Sequence, residues 1–179
     1  MKTAIIALMA VATLGSAANA TTVAQRWNPK APENSQLLPT FNYATVESVV
    51  AAIGAKSSRT GSASNPALSV VFANNRKAVL TFGGCNGDGS ACNALSMQAN
   101  WTKIANSTPQ ATAGAIQSFN QRYSFGKAFM MADGRPGMQR YLTADYGFVR
   151  GNLAVNMLVF ANQVDRFATE VLQPLETGR

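Results

Sequence analysis

Residues 76–101 read RKAVLTFGGCNGDGSACNALSMQANW, and this stretch decides the fold. Apolar and polar residues alternate over 78–85 and again over 92–101, the period of strands that bury one face. The six residues between them, Asn86-Gly87-Asp88-Gly89-Ser90-Ala91, are turn formers. Placing Cys85 opposite Cys92 in an antiparallel pair sets Phe82 against Leu95, Leu80 against Met97, Ala78 against Ala99 and Arg76 against Trp101, all on one face. A slip of one residue would turn one strand over and destroy that match.

Upstream, Ala67 to Ala73 is strand-like and ends at Asn74-Asn75, residues that tolerate positive φ in a two-residue hairpin turn. With those two at the centre of the turn, Val70 faces Val79 and Leu68 faces Thr81, with Phe72 beside them. The second face of the sheet is then apolar at Leu68, Val70, Phe72 and Val79, a patch for a partner unless a helix covers it. Lys56 to Pro66 reads as a Ser/Gly/Asn loop. Before it, Thr45 caps a helix running to Ala55, with Val46, Val49, Val50 and Ile53 on one stripe. Downstream, Ser107 or Thr108 caps a helix to about Tyr123, with Pro109 in its first turn. Phe125 to Ala132 and Met138 to Phe148 are strands about the turn Asp133-Gly134-Arg135-Pro136-Gly137. Leu153, Met157, Phe160, Val164, Phe167 and Val171 recur at spacings of three and four and define a terminal amphipathic helix. The order α-β-β-β-α-β-β-α predicts an α+β domain with a largely antiparallel sheet.

The N-terminus reads as an export signal. Lys2 precedes an apolar run from Ile5 to Leu14, and Ala18-Asn19-Ala20 offers a cleavage site after Ala20. The run is too short to span a bilayer, so the expected product is periplasmic or secreted and begins at Thr21. Residues 1–20 are thus a signal peptide, 21–43 an irregular leader with three prolines, 44–174 one domain and 175–179 a tail. In an exported chain the two cysteines read as a disulfide between Cys85 and Cys92. The 15 basic residues outnumber the 8 acidic ones, but no run of basic residues exceeds two. That pattern writes no nucleic-acid arm and suits at most a weak attraction to anionic envelope components.

The chain has no histidine, which removes Ser-His-Asp and Cys-His catalysis and imidazole metal ligation together. Two cysteines without histidine make a poor zinc site, and the spacing is not that of a C-x-x-C redox centre. The eight carboxylates are scattered through the sequence. Ser124-Phe125-Gly126-Lys127 matches S-x-x-K, but it ends a helix instead of opening one. Gly83 to Gly89 lacks the GK[ST] ending of a phosphate loop and joins strand to strand. No cofactor is expected. A small envelope hydrolase using carboxylates or Ser124 and Lys127 is the alternative to a noncatalytic reading.

From Thr45 to Leu172 the chain resembles the YbjN family, described as bacterial sensory-transduction regulators with a fold like that of type III secretion chaperones. The resemblance is carried by Cys85 to Trp101, by Ile116-Gln117-Ser118-Phe119-Asn120-Gln121-Arg122-Tyr123, by the hairpin around Ala132-Asp133-Gly134 and by the terminal helix. Phe119-Asn120 stands where the family usually has Trp-Asn. The resemblance implies a noncatalytic regulator or protein-binding module, chaperone-like, whose partner is another envelope protein or a second copy. It supplies no catalytic residues. Thiol titration of the denatured protein is expected to find no free cysteine. Cys85→Ser should lower stability by about 2 to 3 kcal/mol, read from urea melts, through the loss of one short closed loop.

Overall fold

The computed structural model describes residues 27–178. The signal peptide and its cleavage after Ala20 lie outside the described residues. Alternation is strictest in β4 (Lys77–Cys85), where Ala78, Leu80 and Phe82 are buried and Lys77, Val79 and Thr81 are exposed. β5 (Cys92–Asn100) pairs with it in the expected register, with Leu80 opposite Met97, Phe82 opposite Leu95 and Cys85 opposite Cys92. The two cysteines are disulfide-bonded. Around this hairpin an antiparallel sheet of six strands forms in the order β2-β3-β4-β5-β7-β6. The others are β2 (Lys56–Gly61), β3 (Pro66–Val71), β6 (Lys127–Met130) and β7 (Pro136–Thr143).

Two expectations about the sheet need correcting. The stretch from Lys56, read as a loop, is the edge strand β2, exposed at all six positions. Its Ser, Arg and Thr residues carry no apolar alternation, so only pairing with β3 reveals it. The architecture therefore has one more strand in its first run than expected. The β3–β4 turn also has three central residues, Ala73-Asn74-Asn75: Phe72 and Arg76 close it, through a bond from Phe72 N–H to Arg76 C=O at 2.9 Å. Asn75 alone takes the left-handed conformation, at φ 62°. Asn74 spends its side chain on the Ala161 carbonyl, 3.1 Å away. The pairing shifts by one residue, so Leu68 faces Leu80 and Val70 faces Ala78.

That shift abolishes the apolar patch anticipated at Leu68, Val70, Phe72 and Val79. Leu68 and Val70 are fully buried and Phe72 is 3 % exposed, on the same face as Leu80 and Phe82, while Val79 points the other way and is 41 % exposed. Putting all three on the core side is what period-two geometry requires once the turn gains a residue.

Three helices contribute to the core on that side. Asn42, not Thr45, caps α1 (Tyr43–Ala52); Thr45 closes a capping box by accepting from the Asn42 N–H. Val46, Val49 and Val50 of α1 are buried, and Tyr43 meets Phe82 edge-on. Thr108 caps α2 (Pro109–Arg122) as expected, accepting from the Ala111 N–H. The long α3 (Arg150–Phe167) buries the anticipated stripe and continues through a π-helical turn, Ala168–Leu172, to Thr177. Phe160 packs on Phe72, and Phe167 on Trp101 and Phe119. No helix among the described residues is long and apolar enough to cross a membrane.

The stretch 27–42, read as part of an irregular leader, has little regular structure: a 3-10 turn, Pro32–Ser35, and a two-residue strand, β1 (Leu37–Leu38). It is nevertheless seated on the domain, since Leu38 and Phe41 are buried in the core. β1 pairs with β8 (Phe148–Val149), directly before α3, in a separate small sheet.

The two faces of β3 and β4 give a direct contrast. Phe72→Ala should lower the unfolding free energy by about 3 to 5 kcal/mol, whereas Val79→Ala should change it by no more than about 0.5 kcal/mol; chemical denaturation of the pair measures both.

Candidate interaction surface

The charged side chains come first, because they would carry any reaction. Arg59 of β2 donates through Nε and Nη2 to the two oxygens of Glu47 on α1, each at 2.8 Å, with its guanidinium 4.5 Å from the Tyr43 ring centre. Arg76 holds Asp165 of α3 at 2.7 Å, and Arg135 holds Asp133 at 2.7 Å within one turn. Glu170 accepts from Tyr123 at 3.0 Å and pairs with Arg122 at 3.3 Å and Arg166 at 3.7 Å. The Arg59 fork lowers the Glu47 pKa below its ordinary value, outweighing the opposing effect of desolvation. Asp133 is lowered by the Arg135 backbone N–H and then its side chain, and Asp88 by its hydrogen bonds to Ser90. Every one of these shifts favours the ionised form, which is the wrong direction for a general acid near neutral pH. Among the described residues no three Cys, Asp or Glu side chains converge to hold a metal.

Ser124 and Lys127 stand just after α2 and at the start of β6, both exposed, and neither side chain hydrogen-bonds within the described residues. The S-x-x-K string thus leads out of a helix into an edge strand. Its neighbours Phe119 and Asn120 act structurally. Phe119 is fully buried, with the Tyr123 and Phe167 rings at 4.7 and 5.1 Å. Asn120 accepts from the Ala128 N–H and donates to the Ala128 C=O, both at 2.9 Å. One amide side chain so satisfies both outward backbone groups of Ala128 on the edge strand β6.

The exposed apolar residues gather elsewhere. Leu37, on β1, is 58 % exposed and lies opposite Val149 of β8. Its side chain rests on Gly147, where a Cβ would come within 2.9 Å of Leu37 Cδ1; Gly147 also has φ 85°, so glycine is required twice over. Tyr146, next to that glycine, is 98 % exposed. Val155, one turn into α3, is also exposed and joins Val149 in lining a groove of about 410 Å³ with Trp27 and Pro32. Leu37 and Val149, paired across the two strands, and Val155, which shares the groove with Val149, therefore form an apolar corner where the N-terminal stretch meets the start of α3. Sequence reasoning missed it because two-residue strands have no period to detect; the one available signal was the exposed leucine of the Leu37-Leu38 pair. The outer face of the main sheet is open too, but its Ser69, Thr81, Ser96, Gln98 and Gln139 make it largely polar around Val79 and Tyr141.

The model of the YbjN family, described as "Putative bacterial sensory transduction regulator", matches residues 42–173. No curated protein matches the chain. The matched span contains the disulfide hairpin, Phe119-Asn120 and α3, elements that hold the domain together. If Asn120 is the clamp on β6, Asn120→Ala should cost about 1 to 2 kcal/mol and speed hydrogen exchange at the Ala128 amide, while Gln121→Ala, one residue along on the exposed side, changes neither.

Proposed function

The chain belongs to the YbjN family, and we propose that it is a noncatalytic regulator that acts by binding another protein in the bacterial envelope. The observation that carries this reading is the apolar corner of Leu37, Val149 and Val155. Apolar side chains left in water together are what a docking surface provides. The surrounding groove adds Trp27 and Pro32, a rigid apolar rim. The functional partner is accordingly a protein segment with an apolar face, and a chaperone-like role in the sense of the family's resemblance fits a site of this kind.

Export is supported by the charged, apolar and small-residue pattern of residues 1–20. The Cys85–Cys92 bridge fits as well, since it closes in an oxidising compartment. No cofactor enters this reading. The hydrolase alternative gains no observation in its favour, as Ser124 and Lys127 are both exposed with no hydrogen bond to each other, and half of the carboxylates, Glu47, Asp133, Asp165 and Glu170, serve as partners of arginine.

Affinity capture from envelope extract tests the proposal. The mature protein should retain a specific protein, and Leu37→Glu should lose it while the circular dichroism spectrum and melting cooperativity remain native. Retention of the same protein by Leu37→Glu and by Val149→Glu would move the binding site elsewhere. Turnover of an envelope substrate that disappears in Lys127→Ala would overturn the noncatalytic reading.

A further inference from the structure

Beside the apolar corner, on the other side of the 3-10 turn, a cavity of about 240 Å³ lies between that turn, the C-terminal half of α1 and the first turn of α3. Arg150, the first residue of α3, lines it and is only 9 % exposed. Its Nη1 donates to Asn34 Oδ1 at 3.1 Å, and this is the only hydrogen bond of its guanidinium among the described residues. Gly151 lets the turn approach that closely, since a Cβ there would stand 2.9 Å from the Asn34 carbonyl. A guanidinium has five donors and a permanent charge, so most of this fork remains free, and the cavity is the space it faces.

The distribution of carboxylates makes this unusual. Arg59, Arg76, Arg122, Arg135 and Arg166 all have carboxylate partners although their side chains are one-third to more than half exposed. Arg150, far more buried than any of them, has none among the described residues. Residues 1–26 contain no Asp or Glu that could supply one. Glu33 lines the same cavity but makes no ion pair with Arg150, so a largely buried guanidinium turns unpaired N–H groups toward a space where an anion would meet them.

We infer that this cavity binds a small organic carboxylate, with its oxygens on the free N–H groups of Arg150 and its apolar body against Ala31, Ala51 and Ala52. A carboxylate matches the planar fork in two parallel hydrogen bonds. The cavity walls argue for this class over phosphate. The Trp27 indole N–H, buried and without a partner among the described residues, adds one donor beside the fork, three alanines give an apolar body its contact, and exposed Glu33, which also lines the cavity, opposes a doubly charged anion more than a singly charged one. Ser48 contributes a hydroxyl that already donates to the Thr45 carbonyl at 3.0 Å and can still accept or turn toward the ligand. Trp27 forms another wall and serves as the reporter.

The test uses the mature protein labelled with nitrogen-15, with the Trp27 indole signal assigned by comparison with Trp101→Phe. Titration with butyrate and with acetate should move the Trp27 indole resonance saturably at millimolar ligand, butyrate binding more tightly, whereas chloride and phosphate at equal ionic strength should not. Arg150→Gln should weaken butyrate by about tenfold or more, the value of a charge-assisted pair. Because that buried residue also anchors Asn34, Ser48→Asp is the second variant: it puts a carboxylate on the cavity wall, and is expected to raise the melting temperature and abolish the butyrate shift, with partner capture through Leu37 intact. No saturable shift in the wild-type protein, equal binding of phosphate, or unchanged butyrate affinity in Ser48→Asp would each overturn the inference.

Discussion

The pairing of β4 with β5, fastened at Cys85 and Cys92, is the constraint on which the rest of the domain depends. Because side chains alternate, one register places Leu80, Phe82, Leu95 and Met97 on a common face and sends Thr81, Ser96 and Gln98 to the other. β3 then has to join with Leu68 and Val70 on the same side, and β7 with Met138 and Leu142. The disulfide restricts the unfolded chain at the one hairpin whose register propagates to both sides of the sheet.

The helices close over that face through a few polar contacts as well as through apolar packing. Asn74 ties the β3–β4 turn to the Ala161 carbonyl of α3, and Asn120 binds the open edge of β6 to α2. Asn120 satisfies backbone groups of an edge strand, which water or a neighbouring strand would otherwise have to meet, while Asn74 also accepts from the Arg76 N–H just before β4. The aromatic contacts of Phe119, Phe167 and Trp101 lie between these ties. Arg140 is the exception within the sheet. It sits opposite Met97 on the helix side, where its charge is met by the Phe125 ring at 4.1 Å and the Phe125 carbonyl.

The two candidate binding features lie away from the sheet, where the stretch from Trp27 to Leu38 crosses the start of α3. An exposed apolar corner and a buried, unneutralised Arg150 stand on either side of one 3-10 turn. Neither belongs to the core's regular pattern. Both exist because a short N-terminal stretch is laid against a helix start that has no side-chain cap of its own, Val149 preceding it.

Wherever a long period and a local partner coincide, the sequence by itself determined the outcome: the β4–β5 register and its disulfide, the Thr108-capped α2 and the stripe of α3 all follow from spacing within a few turns or one hairpin. Tertiary structure decided what depends on a neighbour. Whether Ala73 joins Asn74 and Asn75 in the turn, as it does where Asn74 reaches α3, changes the loop by one residue, and that residue moves Leu68, Val70 and Phe72 from an imagined surface into the core. β2, polar throughout, is a strand only because β3 offers it hydrogen bonds. The apolar corner and the Arg150 cavity join residues about 115 positions apart in the chain, as Asn34 and Arg150 are. No local pattern encodes such a meeting; it arises when the packed sheet and helices bring two short, aperiodic segments together.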